Sequence, residues 1–155
     1  MIRSSLTLAA ATLLAAAAHA QNAKPCSLLT ADQIKAVVNG PVNPGIPGGS
    51  KDAPDCTWKD AKGPNTDQVR VYLSLKTRDN YNVVHAQMAN SGRVTAVTGV
   101  GEDAFFVTSP AGSTAYLYAL GKHHLLLLQV NIPNASRQDN EAAEKALATD
   151  ILPKL

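Results

Sequence analysis

The sequence lacks most of the patterns that identify an enzyme or a cofactor-binding domain. It has no Gly-x-Ser-x-Gly nucleophile motif and no P-loop, and Gly99-Val-Gly101 is not followed by the third glycine of a dinucleotide fingerprint. Its lysines and arginines are dispersed, without the basic run that tracks a nucleic-acid backbone. We therefore expect no cofactor and no nucleic-acid partner.

Cysteine is also scarce, and the two that are present are not arranged as a redox pair. Cys26 and Cys56 do not form the Cys-x-x-Cys spacing of redox-active pairs. In an exported chain, one structural disulfide is the simplest interpretation of two such cysteines. The sequence therefore predicts a Cys26–Cys56 bond that closes a loop of about thirty residues.

Only one long hydrophobic run occurs, and it lies at the start of the chain. Arg3 precedes the apolar, alanine-rich segment 6–18, and Ala18-His19-Ala20 has the small residues at −3 and −1 that signal peptidase accepts. This pattern predicts a signal peptide over residues 1–20 and a single mature domain over residues 21–155. We expect a periplasmic or secreted monomer with no membrane span, because the run is too short for a permanent transmembrane helix.

Strand patterns dominate the mature part. The run Leu125–Leu128 is apolar at consecutive positions, which is typical of a strand buried on both faces. Apolar residues alternate with polar ones over 69–76, which predicts a strand with one buried face. Together with two or three helix patterns, the order of the strands predicts an α+β domain: a largely antiparallel sheet of about five or six strands, with two or three helices packed on it and one disulfide.

Two helix starts carry capping boxes. Thr30 and Gln33 have the spacing of an N-cap and its N3 partner, and Ser136 and Asp139 repeat that spacing before the last helix. A further amphipathic helix is expected over 77–90, with an acid at its start.

The sequence places one loop and one polar helix face in solvent. Residues 41–54 are rich in proline and glycine, which predicts a flexible surface loop. In the last helix, Glu144 is expected to stay in water beside Glu141 and Lys145.

The titratable residues do not form a recognisable site. His123 and His124 are adjacent on a predicted strand, so their side chains point to opposite faces and cannot chelate one ion together. We expect no metal site and assign no catalytic residue. The alternatives that stay open are a small hydrolase-like enzyme with converging groups around His85 or His123, and an inhibitor or immunity-type protein that acts through loop 41–54.

The few aromatic residues suggest the only candidate surface. Tyr72, Tyr116 and Tyr118 alternate away from the clearer apolar sets on their strands, so they can share an open sheet face. Trp58 is the fourth candidate, although a tryptophan beside a disulfide is also typical of core packing. These residues favour a non-enzymatic binding or accessory domain whose partner is a protein or a small apolar ligand.

Several motifs together resemble a family of small exported bacterial proteins of unassigned function. The motifs are Cys26-Ser-Leu-Leu-Thr30, Cys56-Thr-Trp58, the turn Gly99-Val-Gly-Glu-Asp-Ala-Phe105 and the helix after Ser136. The resemblance covers nearly the whole mature chain. It implies an α+β sandwich of the kind found in small accessory proteins, and it supplies no catalytic residues.

Overall fold

The computed structural model describes residues 23–61 and 68–155, so the expected signal peptide lies outside the described residues. These residues form an α+β fold with one antiparallel sheet, three α-helices and one disulfide, as predicted. The sheet has seven strands, slightly more than the sequence suggested. Within the described ranges, no helix is long and apolar enough to cross a membrane.

The strands are β1 (Ile46–Ser50), β2 (Ala53–Lys59), β3 (Arg70–Thr77), β4 (Val94–Val97), β5 (Asp103–Thr108), β6 (Ala115–Leu120) and β7 (His124–Asn131). The helices are α1 (Ala31–Val38), α2 (Asn80–Ala89) and α3 (Arg137–Ile151), with short 3-10 turns at Pro25–Ser27 and Leu152–Lys154. The strand order across the sheet is β1-β2-β3-β7-β6-β5-β4.

The capping boxes start α1 and α3 as predicted. The Gln33 amide donates to the Thr30 hydroxyl over 3.2 Å, and the Gln33 side chain accepts from the Thr30 amide over 3.0 Å. Ser136 and Asp139 make the same reciprocal pair, at 3.1 and 3.0 Å. Each box satisfies two backbone donors that a helix start would otherwise leave unpaired.

Strand β7 occupies the middle of the sheet, and its leucine run is buried on both faces at Leu125, Leu126 and Leu128, as predicted. Leu126 and Leu128 belong to the main core under α1 and α3. Leu125 belongs to a smaller core on the opposite face. Three of the four leucines therefore enter two different cores, and Leu127 is half-buried on the face of Leu125.

Helix α2 covers only part of that opposite face. Tyr81 packs with Phe105, Val107, Leu120 and Leu125 of β5, β6 and β7. The predicted acid at its start, Asp79, makes no side-chain capping bond. The helix thus covers the face near β5 and leaves the remainder without a covering element among the described residues.

The predicted loop 41–54 is corrected by the structure. Its residues include β1, an edge strand whose side chains are all exposed and which pairs with β2 from Ile46–Thr57 to Ser50–Ala53. Proline and glycine, which suggested a loop, are tolerated on an edge strand because one side of its backbone faces solvent. The segment on which the inhibitor hypothesis relies is therefore built around an exposed edge strand.

The predicted disulfide joins Cys26 in the first turn to Cys56 on β2. Cys56 is fully buried, and Trp58, two residues along the same strand, is 1% exposed. The bond fastens the entrance of α1 to the centre of the main core.

Gly45 lies against this disulfide, and we expect its replacement to destabilise the fold. A Cβ at Gly45 would stand 2.5 Å from Cys56 Sγ and 2.7 Å from the Trp58 ring. Gly45→Ala should therefore lower the free energy of unfolding by about 1–3 kcal/mol through overpacking, as measured by urea denaturation. Gly40→Ala is the matched control, because its nearest atom would be 3.9 Å away. Equal effects of the two variants would contradict this account.

Two polar side chains of α3 are buried against β7, which corrects the assignment of Glu144 to solvent. Glu144 is fully buried, and its Oε1 accepts a hydrogen bond from the Val130 amide over 2.8 Å. One turn earlier, Asn140 Oδ1 accepts from the Ile132 amide over 2.9 Å. The ladder between β6 and β7 runs only from Leu117–Leu128 to Leu120–Leu125. The Val130 and Ile132 amides lie beyond its Leu128 end, and the two side chains of α3 accept their hydrogen bonds.

Candidate interaction surface on the open half of the sheet

The three tyrosines share the face of the sheet that carries α2. Tyr118 lies opposite Phe105 on β5 and opposite Leu127 on β7. Tyr72 lies opposite Gln129, the next residue of β7 on the same face. Directly opposed residues of antiparallel strands project to the same side, so Tyr72, Tyr116 and Tyr118 lie on one face, with β7 between the strand of Tyr72 and the strand of the other two.

Tyr118 marks the border between the covered and the open half. Its ring stacks on Phe105 with centroids 5.1 Å apart and planes 9° apart. Phe105 in turn meets the rings of Tyr81 and His85 on α2, at 5.5 and 4.8 Å. Burial raises the pKa of Tyr118 above its ordinary value, so the hydroxyl is a neutral donor at physiological pH.

Tyr72 is held toward the β2 side of the same face. Its hydroxyl donates to Asp55 Oδ2 over 3.3 Å. Burial is the main cause that raises the pKa of Tyr72. The ring is therefore positioned by a side-chain hydrogen bond as well as by its strand.

Between the tyrosines lies an open depression of about 320 Å³. Its lining is Thr57, Arg70, Tyr72, Tyr116 and Gln129. With Tyr118, these residues are called the tyrosine surface below. It combines aromatic rings with hydroxyl, amide and guanidinium groups.

Two described residues at the edge of this surface carry positive charge. Lys59 lies directly opposite Arg70, and both are exposed. The ion pairs seen among the described residues are Arg78–Glu102 and Arg137–Glu141, so neither cation is neutralised there. Like charges directly opposite one another on a sheet are unfavourable unless an anion approaches.

Trp58 does not belong to this surface, which corrects its inclusion among the candidates. It is 1% exposed and packs in the main core with Cys56, on the face under α1 and α3. Trp58 and Thr57 are neighbours on β2, and strand alternation sends one to each face.

The histidines do not converge on a reactive centre in the described part of the chain. His85 packs edge-on against Phe105, and His123 is exposed. Burial lowers the pKa of His124. Among residues 23–61 and 68–155, no group of three His, Cys, Asp or Glu residues is placed to hold a metal ion.

Arg70, Thr57 and Gln129 were not found from the sequence. Each is an ordinary polar position of an alternating strand, and only the pairing of β2, β3 and β7 brings them together. Comparison of the chain with protein-family models, curated proteins and solved structures gave no match, so the surface is interpreted from its own chemistry.

Proposed function

We propose that this protein is an exported, non-enzymatic binding domain that docks a partner protein on the tyrosine surface. The observation that carries the proposal is that Tyr72 and Tyr116 line one open depression with Arg70, on the sheet face that also carries Tyr118 and that α2 leaves open. Tyrosine and arginine are enriched in protein interfaces and in their energetic hot spots.

A protein partner suits this surface better than a small apolar ligand. Small-molecule sites enclose most of their ligand in a concave and mostly apolar cavity. The depression here is open, and three of its five lining residues are Thr57, Arg70 and Gln129. An apolar molecule would leave these groups desolvated and unpaired, whereas a protein surface can supply hydrogen-bond partners.

The partner's surface should be acidic where it meets the edge of the sheet. Arg70 and Lys59 are adjacent, exposed and without a carboxylate partner among the described residues. An aspartate or glutamate on the partner would relieve their repulsion and fix the docking register. The disulfide supports the proposal that the chain is exported, and an exported chain would meet this partner in the periplasm or outside the cell.

Site-specific photo-crosslinking in the native host tests this proposal. Tyr116→p-benzoylphenylalanine should give one crosslinked partner in the exported fraction. The same photoreactive residue at Lys145, which is exposed on α3, is the control and should give none. Arg70→Glu with Lys59→Glu should reduce the Tyr116 crosslink by about tenfold, because like charges would then meet.

Three outcomes separate specific docking from capture by chance. Restoration of the crosslink by charge reversal of one acidic residue on the partner would support the proposal. Equal crosslinking from positions 116 and 145 would overturn it. Crosslinking at position 116 that is equally strong in the R70E/K59E variant would refute the proposal that the partner's surface is acidic.

A further inference from the structure

A second cleft lies at the Thr77 end of β3, opposite the end that carries Arg70. At roughly 3.3 Å per strand residue, Lys76 in this cleft is about 20 Å from Arg70. Its volume is about 550 Å³. Lys24, Lys51, Lys76 and His124 line it together with the single carboxylate Asp52. The lysines come from three segments far apart in the chain: the first turn, the β1–β2 turn and β3.

The fold holds these segments in place. The Lys24 carbonyl accepts hydrogen bonds from the Ser27 amide at 2.9 Å and the Ser27 hydroxyl at 2.8 Å, and the neighbouring Cys26 is bonded to β2. In the β1–β2 turn, the Ala53 amide donates to the Ser50 hydroxyl over 3.2 Å. His124 is paired across the sheet with Thr77, the residue after Lys76.

The cleft concentrates positive charge in a chain that is nearly neutral. The formal net charge of the whole sequence is only +2, yet three lysines and one aspartate line this single cleft. None of the three lysines takes part in an ion pair within the described ranges. A cleft in which one sign of charge predominates attracts small ions of the opposite sign.

We infer that this cleft binds a small phosphate-bearing anion that carries two or more negative charges. Lysine ammonium groups act as mobile point charges and accommodate tetrahedral phosphate, whereas planar carboxylates favour the fork of arginine, which is absent from the lining. His124, whose pKa is lowered by burial, adds a neutral imidazole to the lining. The site is independent of the tyrosine surface and of any protein docked there.

Calorimetric titration of the disulfide-bonded protein with inorganic tripolyphosphate tests the inference. We expect saturable one-to-one binding that weakens at least tenfold in the double variant K51Q/K76Q. The matched control is K35Q/K145Q, which removes two exposed lysines of α1 and α3 and should change the affinity less than twofold. Raising the salt from about 0.05 M to about 0.5 M should also weaken binding, because exposed charges are screened.

Each possible result either supports or overturns the phosphate site. Retention of near-native affinity by K35Q/K145Q together with loss by K51Q/K76Q would establish the cleft. Equal losses in both variants would indicate general charge attraction and overturn the site, as would the absence of binding at millimolar tripolyphosphate. Citrate that binds as tightly as tripolyphosphate would overturn the assignment to phosphate. All variants carry surface substitutions, and circular dichroism checks that each is folded.

Discussion

Replacing Cys26 and Cys56 together by alanine is expected to lower the free energy of unfolding by about 3–4 kcal/mol. The two residues are separated by 30 positions, and the bond removes the freedom of that loop from the unfolded chain. A domain of this size is stable by about 5–15 kcal/mol, so the loss is a large fraction of the total. Urea denaturation measures it through the fluorescence of Trp58, the single tryptophan, which is buried beside the bond.

Reduction of the wild-type protein provides the control for this double variant. A reductant should bring the wild type close to the stability of C26A/C56A and leave the variant unchanged. The truncated Cys56 side chain adds a small cavity, so the variant should be slightly less stable than the reduced wild type. A difference below about 1 kcal/mol between oxidised and reduced protein would show that the loop is already constrained in the unfolded state.

The second large effect is expected from Glu144 and depends on pH. Burial raises the pKa of this carboxyl to about 8, against the hydrogen bond from the Val130 amide, which favours the ionised form. Nearby Glu141 also raises the pKa of Glu144. In the folded protein the group is therefore protonated at pH values where the unfolded chain has released that proton.

The direction of the pH dependence follows from this difference. At pH values below the ordinary carboxyl pKa both states are protonated, and the group has no effect on the slope. Between that pKa and about 8, unfolding releases a proton, so stability falls as the pH rises. We expect a loss of about 2–5 kcal/mol from Glu144 across this window, measured by urea denaturation at pH 5 to 9.

Glu144→Gln isolates this contribution. The glutamine keeps an acceptor for the Val130 amide and cannot ionise, so the variant should resemble the wild type at pH 5 and be clearly more stable at pH 8.5. Glu141→Gln serves as the control, since Glu141 is partly exposed and paired with Arg137; it should keep most of the wild-type slope. Parallel pH profiles for wild type and E144Q would refute the proposed burial of a neutral carboxyl.

The elements that could be predicted are those whose signals are local. Thr30 with Gln33, and Ser136 with Asp139, contain both halves of a capping box within four residues. The alternation of apolar and polar residues in β3 indicates burial on one face. The consecutive leucines of β7 indicate burial on two faces. The disulfide followed because the chain has only two cysteines.

The features that were missed depend on long-range pairing. Pro47 and the glycines of β1 have the composition of a loop, and only their place at the sheet edge makes them a strand. In the sequence, Glu144 resembles a solvent-exposed helix residue. The Val130 amide that it binds is left without a partner only because the β6–β7 ladder ends at Leu128. The tyrosines could be assigned to a shared face, but their neighbours Arg70 and Gln129 required the register of β3 against β7.

The central position of β7 determines how slowly different parts of the molecule exchange their amide hydrogens. Leu125 and Leu126 are fully buried on opposite faces, so the backbone between them should exchange with solvent only when the whole domain unfolds. Strand β1 is exposed throughout and lies at an edge, and its amides should exchange through local fraying. The exchange rate of the β7 amides therefore reports the free energy of global unfolding. A change in that rate measures how much a ligand or partner at either surface stabilises the intact protein.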